Sequence, residues 1–387
     1  MAESVADRFN KIVSVVRFCL RVCGADVCDL NYRMYWLTYC VLAAIFFFYA
    51  CTAYTLYVGV IQEGDWTIML EASCMVGSAI QGLTKLYFGV TKGHLMQQME
   101  AIYKDIYKTY ERLGGEYREQ LIKRIKITKA LMNVFMWIYI ILVVALVSLP
   151  LFYLVVFKEK MLVMQFLVPG IDRNSDVGHL MLLSLHTMCL SFGAFGNFGA
   201  DMFLFLFVSN LPLLTDLVKV KLKDFNELVV QHTRYKETRA LLWNIFSWHQ
   251  KYVRLLSSME ELYNGIMFVQ LSTSCTGILC TISCIFIGVW PAAPVYLLYS
   301  ASVLYTFCAL GNLVELSNEE FAEAVYCDCM WYELPVKDQK LIIIMLSKSQ
   351  NEILLSAGDV MPLSMATALQ LSKGIYSFSM FLFTYLE

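Results

Sequence analysis

Residues 179–214 read HLMLLSLHTMCLSFGAFGNFGADMFLFLFVSNLPLL, and their only acids or bases are His179, His186 and Asp201. As one helix they would extend ~54 Å, nearly twice the ~30 Å thickness of bilayer hydrocarbon. The stretch therefore predicts a membrane span whose lower part leaves the bilayer and stays buried against protein.

Working outward, apolar residues make up 58% of the 387, charged residues only 16%, and 30 basic side chains face 32 acidic ones. Nothing in that balance points to nucleic acid. Six apolar runs are long enough to cross a bilayer: 34–60, 66–90, 130–157, 179–208, 262–290 and 293–314. A seventh, 360–386, is interrupted by Pro362, Gln370 and Lys373. Of the 30 basic residues, 25 fall in the N-terminus and segments 91–130, 218–260 and 315–359, and 3 on the other side. The positive-inside rule then places the N-terminus in the cytoplasm and the C-terminus outside. The expected fold class is an all-α membrane protein with seven transmembrane helices and a cytoplasmic helical anchor layer.

The expected division is a cytoplasmic amphipathic segment 1–33, six spans with extended cytoplasmic helices over 34–314, anchor helices over 315–359, and a last span over 360–387. In 9–23, Phe9, Ile12, Val13, Val16, Cys19, Leu20 and Cys23 share one helical face, which predicts a helix lying on the inner leaflet. Segment 216–260 reads as folded helix. So do EEFAEAVYCDCMWYEL and QKLIIIMLSKSQNEILLSAG, with Gly358 as the helix stop before Pro362.

No nucleophile elbow, zinc-protease pair, phosphate-binding glycine loop or dinucleotide fingerprint is present, and the histidines are dispersed. The thirteen cysteines show no zinc spacing and lie mostly in apolar runs. No enzyme, metal or cofactor is expected. Glu71 and Asp201 are carboxylates inside apolar runs, and such groups are candidates for function as well as for structural pairing. Gly193, Gly196 and Gly199 recur every third residue, which suits close helix packing or a lining with room for a ligand. Ser73, Val76, Val144, Ser148, Leu183, Met188, Tyr296 and Tyr299, in the outer halves of the spans, would wall a site for a small, mostly apolar ligand; ordinary helix packing would look the same. Segment 315–359 carries nine acids against three lysines. That excess would concentrate cations beside a conduction path, or simply solvate a helix face.

The stretch YTFCALGNLVELSNEEFAEAVYCDCMWYELP, 305–335, resembles the insect odorant receptor family in Phe307, Cys308, Gly311, Asn312, Leu313 and Ser317, then Tyr326 and the Trp331–Tyr332 pair. The resemblance implies an odorant-binding subunit of a ligand-gated, nonselective cation channel. It would form a heterotetramer with an odorant co-receptor in the plasma membrane of olfactory sensory neurons. Its partners would be small volatile apolar or aromatic ligands and membrane lipid. It implies a pore-lining last span, with Phe381, Thr384 and Tyr385 as pore and gate; with the C-terminus outside, Glu387 and the terminal carboxylate would then lie at the outer mouth. The alternative is a seven-span receptor coupled to G proteins. The inferred cytoplasmic N-terminus, with no D-R-Y-like triplet after the third span and no N-P-x-x-Y near the end, weighs against it.

Overall fold

A computed structural model describes residues 4–29, 32–231, 235–351 and 353–386, with only the backbone of Phe383, Tyr385 and Leu386. Glu387 lies outside the described residues, as do the side chain of Tyr385 and all of His232 and Glu352. The helices are α1 Val5–Val22, α2 Trp36–Leu56, α3 Thr67–Leu113, α4 Gly115–Val156 and α5 Asp176–Ser209. Then come α6 Leu211–Val230, α7 Tyr235–Ile287, α8 Ala293–Glu323, α9 Val336–Gln350 and α10 Met365–Leu386.

Five of these, with the π turns that continue two of them and α6 running on from α5, are long and apolar enough to cross a membrane. The outer half of α3 and all of α10 are less apolar, because they carry Glu71 and Lys85, and Gln370 and Lys373. They pack into the same layer, α3 against α7 and α10 against α7 and α8. Several spans continue as rods beyond any bilayer: α3 (47 residues) and α7 (53 residues) reach ~70 and ~80 Å. Segment 91–130 is therefore helix almost throughout. α3 kinks at Lys92 (φ −117°, ψ 19°) and turns into α4 through Gly114 and Gly115, both at positive φ.

The long fourth run breaks at Asn210, and Pro212 occupies the first turn of α6. The most apolar stretch of α5–α6 is 89% buried, whereas that of α4 is 17% buried and left for lipid. A buried helix break exposes carbonyls that need donors. Tyr103 Oη donates to Phe207 O (2.7 Å), Tyr107 Oη to Asn210 Oδ1 (2.7 Å), Asn210 Nδ2 to Leu206 O (2.7 Å), and Trp248 Nε1 to Leu214 O (3.0 Å). Around them Phe203, Phe207, Leu211, Leu214, Phe225 and Phe321 form the core of an anchor layer.

Three expectations need correction. The apolar face of α1 is buried against α5 and α3, not laid on lipid: Phe9 is fully buried and stacks on Tyr107 (4.7 Å). Only Val15 and Phe18 of α1 remain as exposed large apolar groups. The segment after α8 is a π turn (Ala324–Asp328) and a short 3-10 turn (Trp331–Glu333), with Tyr326 and Trp331 stacked (6.1 Å). Finally, α9 ends at Gln350, and a hairpin follows, β1 Ser356–Ala357 against β2 Met361–Pro362. Gly358 (φ +66°) and Asp359 (φ +56°) make its turn, so Gly358 stops no helix. Glu260 holds the hairpin by accepting from the Ser356 amide (2.9 Å) and hydroxyl.

Candidate functional site

Calling the end of the bundle remote from the anchor layer its outer end, a second apolar core gathers there. Phe48, Met75, Leu146, Trp290 and Tyr296 pack with Met161, Val163, Met164 and Phe166 of the 157–175 loop. The loop is folded inward. Phe166 meets Phe48 edge-on (5.5 Å), its carbonyl lies 3.0 Å from His186 Nε2, and the Leu167 amide donates to Thr55 Oγ1 (2.7 Å).

Beneath this cap lies a cavity of ≈170 Å³ reaching down to Leu20, Cys23 and Val27 of the N-terminal segment. Helical spacing builds each wall. Val41, Ala44, Ile45 and Phe48 of α2 recur at i, i+3, i+4 and i+7, and Ser78, Gly82, Lys85 and Gly89 of α3 at i, i+4, i+7 and i+11. From α5 come Gly193, Gly196 and Asn197, from α4 Tyr139, and from α8 Tyr296 and Tyr299. Gly193 opens into space, whereas a Cβ at Gly199 would come 2.8 Å from Leu20 Cδ2. The glycine stripe thus serves both of its readings, room at one end and close packing at the other.

The polar groups are few and mostly satisfied internally. Ser78 Oγ and Tyr296 Oη share a hydrogen bond (2.9 Å), Tyr296 Oη donates to Cys74 O (2.8 Å), and Tyr139 Oη to Ala194 O (3.0 Å). Lys85 Nζ donates to Asn197 Oδ1 (3.2 Å) and pairs with Asp201 Oδ1 at 2.6 Å, both side chains 4% exposed. Asp201 and Asn197 stand one turn apart on α5, facing Lys85 of α3. Asp201 lies one layer below the cavity, in a ≈20 Å³ void that Lys85 and Tyr263 also line.

Of the residues named from sequence, Tyr296 and Tyr299 line the cavity. Val76 and Leu183 belong to the outer core beside it, and Ser73 is half-buried outside the lining. Val144 (58% exposed), Met188 (48% exposed) and Ser148 face away from it, with Ser148 Oγ donating to Ala145 O of its own helix. One residue of a helix rotates the side chain by ~100°, and composition alone does not fix that rotation. Neighbours one position away, Val143 and Cys189, do line the cavity. Sequence reading passed over Lys85, Asn197 and Met164. The charge of Lys85 inside an apolar run was the available signal. Glu71 is half-buried near the outer start of α3.

On α10, Thr367, Ala368, Leu371, Ser372, Ile375 and Ser379 are buried or half-buried. Tyr305 Oη and Ser372 Oγ, 2.8 Å apart, join this face to α8. Gln370, Lys373, Ser377, Phe381 and Thr384, spaced 3, 4, 4 and 3 residues apart, are exposed along another face. Thr384 Oγ1 donates to Met380 O (3.0 Å).

The fold matches that of the insect olfactory receptor OR5 from Machilis hrabei, solved in complex with eugenol, at a TM-score of 0.78, 14% identity, and 98% and 99% coverage of the two chains. In sequence, the chain is 24% identical to the Drosophila melanogaster protein named "Putative odorant receptor 83c", over 98% of both. It is 28% identical to Odorant receptor 19a of the same fly over 60% of each. The sequence model of the 7tm Odorant receptor family matches residues 65–376. With that match over most of its length, the chain belongs to the 7tm odorant receptor family.

Proposed function

We propose that this chain is an odorant-binding subunit of a ligand-gated, nonselective cation channel that assembles with a co-receptor, and that the cavity beneath the 157–175 loop takes the odorant. The observation that carries the reading is the cavity itself. It is an apolar, aromatic-lined space with a few fixed polar groups, the kind that holds small molecules. Its ≈170 Å³ compares with the ~150 Å³ of a buried cavity that admits benzene. Eugenol, bound by the Machilis receptor, is likewise a small aromatic molecule.

The pore reading rests on α10. Lys373 lies near the middle of this helix, exposed and with no carboxylate partner among the described residues. An ionisable group at bilayer depth calls for water or a counter-charge, so its stripe belongs on an aqueous path. Phe381, Thr384 and Tyr385 would narrow that path towards the helix end. A ligand that binds the open arrangement more tightly shifts the equilibrium towards it.

The test is current recording from cells carrying this chain with and without a co-receptor, under a broad panel of volatiles. Odorant-evoked cation current that needs both subunits is expected; silence to the whole panel at normal surface expression would reject the reading. A glycosylation site appended after Glu387 separates the G-protein-coupled alternative, since only an outside C-terminus acquires the glycan.

A further inference from the structure

We infer that Lys85 determines ligand class: the cavity selects a neutral molecule that presents one hydrogen-bond-accepting oxygen to the Lys85 ammonium. This rests on the reading of the cavity as the odorant site.

An ammonium carries three donors. Two of those on Lys85 are taken, by Asp201 Oδ1 at 2.6 Å and Asn197 Oδ1 at 3.2 Å. For the third, the described residues offer no acceptor, and Lys85 lines the cavity. The neighbouring polar groups are already engaged: the Ser78 and Tyr296 hydroxyls with each other, Tyr296 also with Cys74 O, Tyr139 with Ala194 O, and Asn197 Nδ2 with Ser78 O (3.2 Å). Lys85 is therefore a charged donor with one N–H left over for a ligand.

Charge balance narrows the class. Asp201 already neutralises Lys85, so a carboxylate ligand would bury a second negative charge with no cation to match it, a costly arrangement. A ketone, ester or alcohol oxygen needs only the spare N–H. A hydrocarbon of the same shape would leave that donor unsatisfied, which carries a penalty of its own. The rest of the wall, Phe48, Tyr139, Tyr299 and aliphatic groups, suits a single ring or a short chain.

The test uses the full chain with its co-receptor and three single-ring probes: acetophenone, its hydrocarbon isostere α-methylstyrene, and benzoate. A hydrogen bond to a charged donor predicts that acetophenone is about ten- to a hundred-fold more potent than α-methylstyrene, with benzoate weaker than acetophenone. In Lys85→Met combined with Asp201→Asn, which removes both charges so that neither is orphaned, the ketone and hydrocarbon potencies should converge. A wild type that answers to other odorants but shows no ketone preference would overturn the inference. So would a double variant that reaches the surface and keeps the preference. The wild-type ranking needs no variant to fold, and a wild type silent to every odorant strikes the cavity reading itself.

Discussion

Gly193 is a position where the volume of one side chain should decide ligand response. Its missing side chain faces open space at the cavity wall, so Gly193→Val should leave surface expression intact while potency for ring-sized odorants falls about ten-fold or more, read from dose–response curves. Unchanged potency would remove this wall from the site. Another single-residue effect lies in the anchor layer. His249 is 4% exposed, its Nε2 3.1 Å from Ser349 Oγ, and burial, followed by the nearby Lys348 charge, lowers its pKa from 6.5 to about 4. Between those values the unfolded chain binds a proton that the folded chain refuses. Stability is therefore complete above pH 6.5 and falls as the pH drops towards 4, by roughly 3 kcal/mol at most. Thermal unfolding of detergent-purified protein should show the acid loss, and His249→Gln should flatten it. Neither residue could be singled out from sequence. Gly193 looks like its neighbours in the stripe, and only the partner helices separate it from Gly199.

Among the elements, α8 and α10 carry the sharpest constraints. The motif around Gly311 is a packing device, because a Cβ there would lie 2.1 Å from Leu363 O, on the segment that leads into α10. A backbone oxygen has no rotamer to escape into, so Gly311→Ala should cost at least the usual 1–3 kcal/mol of overpacking. Surface biotinylation should show a several-fold drop. The same spacing of residues that makes α10 amphipathic leaves Lys373 in its exposed stripe with Ser377 and Phe381. If that stripe faces the pore, Lys373→Gln should raise cation conductance by removing a like charge from the wall. Identical single-channel current would place the residue elsewhere. That a helix occupies the closing run was readable from its apolar length; the hairpin before it was not. Residues 353–357 read as amphipathic helix, and Glu260, nearly a hundred residues away, holds Ser356 extended instead.

At the scale of the whole molecule, the larger of the two buried cores gathers the anchor-layer ends of the long helices. The N-terminal helix is part of that core, with Phe9 fully buried between Tyr103 and Tyr107. Phe9→Ala should therefore cost about 3–5 kcal/mol and be seen as lost thermal stability, whereas a helix merely resting on lipid would tolerate it. The membrane class, the approximate spans and the over-long fourth run followed from composition and periodicity, because a bilayer imposes length and apolarity on each segment separately. The burial of that run's lower part was also readable, since so apolar a stretch has no stable place in water. Which way each helix turns was a different matter. Tyr296 and Tyr299 face the cavity while Val144 and Met188 face away, and Lys85 meets Asp201 across two helices more than a hundred residues apart in sequence. The sequence by itself determined which segments are long and apolar enough to enter a membrane, since that depends on local hydrophobicity. Only the tertiary structure decided which side chains meet in the cavity, since that depends on the rotation and register of helices fixed by their partners.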